Sequence, residues 1–151
     1  MFKEGRTLLW IAPSGGRDRI DEESGKYKPG VFDPSAVQLI KRLLEKAGKS
    51  NRGHVYPMAM ASAEIMPPPR GVQKDLGEER VLNHHGVGIS LGDEILEADI
   101  PGLSESEDAS QVYSDHLYAR VKSLYYPLAA AVYGEDGADT SAFEQPWAGK
   151  F

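Results

Sequence analysis

The residues with the clearest chemical potential are two arginines one residue apart, Arg17 and Arg19, which follow Gly15 and Gly16. In extended backbone, alternate residues point the same way, so both guanidinium groups would lie on one face with Asp18 on the other. Two such groups can hold one phosphate dianion through charge-assisted hydrogen bonds. The glycines would let backbone N–H groups approach the same anion. The spacing therefore predicts a phosphate site made of Arg17, Arg19 and the Gly15 and Gly16 backbone.

A second interpretation of the same segment is structural. The run "RDRIDEE" mixes both charges, and its arginines could form exposed ion pairs of small energetic value. Neither a P-loop nor a dinucleotide fingerprint is present, because no Gly-Lys-Ser/Thr and no Gly-x-Gly-x-x-Gly follows the strand-like run. From the residues alone, the phosphate site and the ion pairs both remain open.

Composition excludes several classes of function. The 151 residues carry a net charge of -6, which argues against nucleic acid as the main partner. There are no cysteines, so disulfides, cysteine-zinc sites and a thiol nucleophile are excluded. The longest apolar run, "YYPLAAAVY", falls short of the roughly 20 residues that a transmembrane helix needs, so no membrane span is expected. We expect neither a cofactor nor a metal, since the adjacent His84 and His85 would point apart on a strand.

The elements that must position the arginines are predicted from apolar patterns and chain breakers. Three apolar segments suit strands: Thr7–Ala12, the first half of His54–Ile65, and Arg80–Leu91. The arginines come just past the carboxyl end of the first of these, where open α/β sheets bind ligands. Met58, Met60 and Met66 could pack in the core or contact an acyl chain.

Two helices are predicted. The first begins at Pro34 after the N-cap Asp33 and ends before Gly48. The second begins at the capping-box pattern "SESE", residues 104–107, and continues through Tyr133. The order strand, helix, strand, strand, helix predicts one α/β domain with a partial, mixed, mostly parallel sheet flanked by helices.

Seven segments in fixed order extend the interpretation: "WIAPSGGRDR", "FDPSAV", "GHVYPMAM", "EIMPPP", "GEERV", "HHGVGIS" and "QPW". Together they resemble the carboxyl-terminal part of the soluble, plastid-type glycerol-3-phosphate acyltransferases. That family transfers an acyl group from acyl carrier protein or acyl-CoA to glycerol 3-phosphate in the plastid stroma, giving lysophosphatidic acid for glycerolipid synthesis. The resemblance implies that Arg17 and Arg19 hold the substrate phosphate, and that His54, Tyr56 and Pro57 shape the cleft.

The family's catalytic His-x-x-x-x-Asp motif has no counterpart here. None of the four histidines is followed by an aspartate five residues later: His54, His84, His85 and His116. The resemblance therefore predicts that residues 1–151 are the downstream portion of the acyltransferase domain, with no catalytic residue and no activity alone. Three explanations stay open: an acyltransferase truncated at an internal methionine, a non-catalytic remnant that binds a phosphorylated ligand or pairs with an intact enzyme, or an unrelated anion-binding module.

Overall fold

The fold is that of a computed structural model, which describes residues 7–15, 19–46, 53–68 and 81–143. The elements follow in chain order: strands β1 (Arg19–Ile20) and β2 (Tyr27–Lys28), helix α1 (Pro34–Lys46), strands β3 (Met58–Ala61) and β4 (Gly88–Leu91), a 3₁₀ turn (Glu97–Asp99) and helix α2 (Ala109–Val132). Neither α1 nor α2, the helices of the described ranges, combines the length and apolarity that crossing a bilayer requires.

Helix α2 joins the two parts of the hydrophobic core. Its first half buries Tyr113 and Leu117 against Val37 of α1 and against the loop residues Ile95 and Ile100. Its second half buries a separate group against β3, made of Ala59, Ala61, Tyr125, Leu128 and Ala129. Because both clusters need α2, this helix determines where α1 and the β3–β4 pair lie.

The predicted N-terminus of α1 is confirmed, whereas that of α2 is not. Asp33 is the N-cap of α1 as expected, since its Oδ1 accepts hydrogen bonds from the Ser35 N–H at 2.8 Å and the Ser35 hydroxyl at 2.7 Å. The predicted start of α2 at residues 104–107 was wrong. Asp108 is the N-cap there, and its Oδ1 accepts from the Gln111 N–H at 3.0 Å. An aspartate caps as well as a serine, and the preceding residues are used in turns instead.

Both strand pairs are antiparallel. In the first, Arg19 pairs with Lys28 and Ile20 with Tyr27. In the second, β3 and β4 pair from Met58 opposite Leu91 to Ala61 opposite Gly88. The α/β class is confirmed, but the described residues do not show the predicted parallel character.

The predicted first strand, Thr7–Ala12, was wrong. These residues form no strand, and Leu8 and Trp10 are 96% and 68% exposed. An apolar run forms a buried strand only where it pairs with a neighbouring strand and packs under a covering layer. Residues 7–12 pair with neither of the two ladders of the described residues. The third predicted strand, Arg80–Leu91, is also shorter than expected, because only Gly88–Leu91 pairs.

Small residues let the β3–β4 ladder approach α2 closely. Gly88 faces the buried Leu128: a Cβ at position 88 would lie 2.7 Å from Leu128 Cδ1 and 2.4 Å from Val132 Cγ2. Ala59 and Ala61 lie in the same contact and are buried. The opposite face of the ladder is also apolar but open, with Ile89 61% and Leu91 65% exposed.

We expect Gly88→Ala to destabilise the fold by about 1–3 kcal/mol, because the new methyl group overpacks against Leu128, which is only 2% exposed. Gly86→Ala is the matched control, since a Cβ there meets no atom within 4 Å. Urea denaturation should show a lower midpoint for Gly88→Ala alone. Equal midpoints for the two variants would contradict the close contact with α2.

Candidate functional site

The predicted phosphate segment begins with a tight turn. The Gly15 N–H donates to the Ala12 carbonyl at 3.1 Å, and Gly15 has a φ of 69°, a conformation that favours glycine. Gly16, Arg17 and the Arg19 side chain lie outside the described residues, whereas the Arg19 backbone pairs with Lys28. The phosphate-binding role of Gly15, Gly16, Arg17 and Arg19 therefore stays a prediction, and in this conformation the Gly15 N–H already serves the turn.

A polar network closes the hairpin that starts at Arg19. Asp21 Oδ1 accepts from the Ser24 N–H at 3.0 Å and from the Ser24 hydroxyl at 2.9 Å, while Oδ2 forms an ion pair with Lys28 Nζ. The Asp21 N–H donates to the Lys26 carbonyl at 2.8 Å. Lys28, and then Ser24, lower the pKa of the Asp21 carboxyl from 3.8 to about 2. Among the described residues, the Asp21 carboxylate is thus held by Lys28 and Ser24, and the choice between a phosphate site and arginine ion pairs in "RDRIDEE" stays open.

The hairpin is anchored to α2 and to the residues just after it. Lys26 Nζ lies 2.6 Å from Glu135 Oε2, and the rings of Tyr27 and Tyr133 lie 5.8 Å apart. Further along, the Tyr118 hydroxyl donates to the Pro29 carbonyl at 3.0 Å. Burial, and then the nearby carboxylate of Glu64, raise the pKa of the Tyr27 phenol. The backbone of Arg19 is thus connected to α2 through the second strand of its hairpin.

A cleft of about 450 Å³ opens next to the predicted phosphate segment. One wall is the run from Trp10 to Ser14, and the others come from residues 29–32, from β3 with the turn after it, and from α2. Met58, Met60 and Met66 all line it. No His, Asp, Glu, Lys or Arg of the described residues lines this cleft, so its walls suit an apolar group rather than acid–base chemistry.

His54, Tyr56 and Pro57 do not line this cleft. His54 Nδ1 lies 2.8 Å from Glu94 Oε1, and its ring stacks on Tyr56 with centroids 6.5 Å apart. Pro57 is buried, and its carbonyl accepts from the Gly92 N–H at 2.9 Å. His54 and Pro57 therefore connect the chain before β3 to the chain after β4, and Tyr56 packs on His54. Shaping of the cleft by them stays a prediction and would act through the position of β3.

Comparison with known proteins gives relatives along nearly the whole chain. Proteins named chloroplastic glycerol-3-phosphate acyltransferase are 43% identical in Spinacia oleracea, 40% in Arabidopsis thaliana and 39% in Pisum sativum, over 97–98% of this chain. By sequence, the chain is homologous to a part of the proteins named chloroplastic glycerol-3-phosphate acyltransferase. The resemblance based on ordered motifs is confirmed. The chain spans about a third of the length of these curated relatives. No protein-family model matches it.

The Asp21 network makes a prediction about acid. The depressed pKa means that the carboxylate's contribution to stability is fully present above pH 3.8 and is lost as the pH falls through about 2. We expect the Asp21 carboxyl to titrate near pH 2 by NMR, and at a higher pH that is still below 3.8 in Lys28→Met, because Ser24 continues to donate to the carboxylate. Asp139, whose pKa Ser141 lowers without any lysine, is the internal reference and should not change in that variant. A wild-type Asp21 midpoint near 3.8 would contradict the network.

Proposed function

We propose that this chain provides the glycerol-3-phosphate-binding and acyl-contacting part of a plastid glycerol-3-phosphate 1-O-acyltransferase. The reaction would transfer an acyl group from acyl carrier protein or acyl-CoA to glycerol 3-phosphate. The observation that carries the proposal is a juxtaposition. The wall of the apolar cleft, Trp10 to Ser14, leads within three residues to Arg17 of the predicted phosphate site. The relatives' names support the substrate and the chloroplast location.

The two halves of such a site have different chemistry. A glycerol phosphate needs cationic donors, and Arg17 and Arg19 are the arginines of the "GGRDR" segment. An acyl chain needs an apolar surface, which the methionines and Trp10 provide on the cleft side of the same segment. Methionine side chains adapt their shape, which suits a flexible ligand. Glycerol 3-phosphate would thus bind at the end of the cleft that holds the acyl chain.

The chemical step requires a general base for the attacking hydroxyl. The family's His-x-x-x-x-Asp motif has no counterpart in residues 1–151, and the cleft walls contain no described acid or base. We therefore propose that this chain binds substrate and that acyl transfer needs the rest of the family's acyltransferase domain. Water alone would otherwise have to activate the hydroxyl.

One observation favours the alternative of a non-catalytic chain that pairs with an intact acyltransferase. Apolar side chains are exposed both at Leu8 and Trp10 and at Ile89 and Leu91. Surfaces of this kind mark contacts with other polypeptides. The two functions differ in their outcome: a complementing chain restores acyl transfer, whereas a paired remnant binds without contributing to turnover.

The phosphate site makes a prediction about binding. Arg17→Ala or Arg19→Ala should weaken glycerol 3-phosphate binding roughly 10- to 150-fold, because each loses a charged hydrogen bond worth roughly 1.5–3 kcal/mol. Isothermal titration calorimetry of the full chain measures this. Arg42→Ala, an exposed arginine of α1, is the matched control and should bind like wild type. Equal losses in all three variants would indicate general unfolding and contradict the site.

A second prediction follows from the proposal that this chain binds substrate and that the rest of the domain supplies the catalytic residues. The chain alone should not transfer acyl groups, whereas co-expression with the spinach relative lacking its matching segment should restore lysophosphatidic acid formation. Leu8→Asp should reduce this rescue, and Glu23→Gln, an exposed hairpin residue, should leave it unchanged. Turnover by the chain alone would refute the proposal. Binding of glycerol 3-phosphate without any rescue would favour the non-catalytic alternative.

A further inference from the structure

We infer that Tyr133 and Glu135, the residues just after α2, are positioning residues for the strand that begins at Arg19. They hold the β1–β2 hairpin beside the cleft and thereby set the place of the Arg19 backbone. The inference rests on the proposed function, because it assigns these residues an effect on glycerol 3-phosphate binding.

Tyr133 joins three segments that are distant in sequence. Its ring lies 5.8 Å from the Tyr27 ring in the hairpin and 5.9 Å from the His85 ring in the segment before β4. Its hydroxyl accepts a hydrogen bond from the Ala63 N–H at 3.1 Å, in the turn after β3. The same side chain lines the apolar cleft. One residue therefore connects the cleft wall to the hairpin.

The connection continues from the hairpin's second strand to Arg19. Tyr27 pairs with Ile20 and Lys28 pairs with Arg19, so β1 follows any displacement of β2. Lys26, the residue just before β2, forms the ion pair with Glu135. A ladder of two residue pairs is not stable by itself and needs packing against another element. The Asp21–Ser24–Lys28 network closes the hairpin internally but does not attach it to the core.

The end of α2 is a firm point of attachment. The Tyr133 N–H donates to the Ala129 carbonyl at 2.8 Å, and the Glu135 N–H donates to the Ala130 carbonyl at 2.9 Å. Leu128 and Ala129, one turn earlier, are buried against β3. The position of Tyr133 and Glu135 is therefore set by the core.

The test compares two tyrosines of the same region. Tyr133→Leu should raise the Kd of the full chain for glycerol 3-phosphate about 3- to 10-fold, as expected for loss of aromatic contacts. Tyr126→Leu is the matched control, because the exposed Tyr126 ring contacts Tyr125 and Lys122 of α2 itself, and it should change the Kd less than about 2-fold. Hydrogen exchange at the Asp21 and Gly25 amides should accelerate in Tyr133→Leu alone.

A charge exchange provides rescue without loss of ring packing. Glu135→Lys should weaken glycerol 3-phosphate binding about 2- to 5-fold, in keeping with an exposed ion pair. The double variant Lys26→Glu with Glu135→Lys should restore it. If Tyr133→Leu does not fold, the Glu135→Lys variant and the double variant still test the positioning role, since the side chains of Lys26 and Glu135 lie at the surface.

The outcomes separate the inference from the proposed function. If the wild-type chain does not bind glycerol 3-phosphate, or Arg17→Ala binds like wild type, both fail. If Arg17→Ala loses binding while Tyr133→Leu and Tyr126→Leu bind equally, the inference alone is overturned. Binding that weakens in Glu135→Lys and does not recover in the double variant also overturns the ion pair's positioning role.

Discussion

The contact between α2 and the β3–β4 ladder is the constraint on which the described structure depends. It exists because Ala59, Ala61 and Gly88 present almost no side chain on one face, so that Leu128 can approach the strands closely. The same helix extends to the second cluster around Val37 and, beyond Tyr133, to the hairpin. Helix, ladder and hairpin therefore have one relative arrangement, and the cleft lined by β3 and α2 depends on the contact of these two elements.

Apolar and polar segments follow each other closely along the chain. Residues 10–14 contribute an apolar wall, and the hairpin from Arg19 onward is closed by Asp21, Ser24 and Lys28. The turn that ends at Gly15 follows the apolar wall directly. Such a boundary suits a ligand with a charged head and an apolar tail. The proposed acyltransferase reaction brings together two substrates with these properties.

The sequence predicted what depends on local rules. Asp33 and Pro34 specify the start of α1, and the ordered motifs identified the family. Prediction failed where a distant partner decides. Apolarity at residues 7–12 predicted burial, but burial requires a second layer that the run does not itself encode. Asp108 stands among several residues able to cap a helix, and packing of Tyr113 and Leu117 selects among them. The cleft and the role of Tyr133 arise from segments far apart in sequence, so no local pattern reports them.

The open face of the β3–β4 ladder has a consequence for how this chain tolerates substitution. A ladder with water on one side normally alternates apolar and polar residues, whereas Ile89 and Leu91 are exposed and apolar on the side away from α2. Polar replacements at these positions would not harm the isolated chain and would improve its solubility. In a larger assembly that covers this face, the same replacements would bury unpaired polar groups. Tolerance measured on the chain alone would then differ from tolerance in the assembled protein.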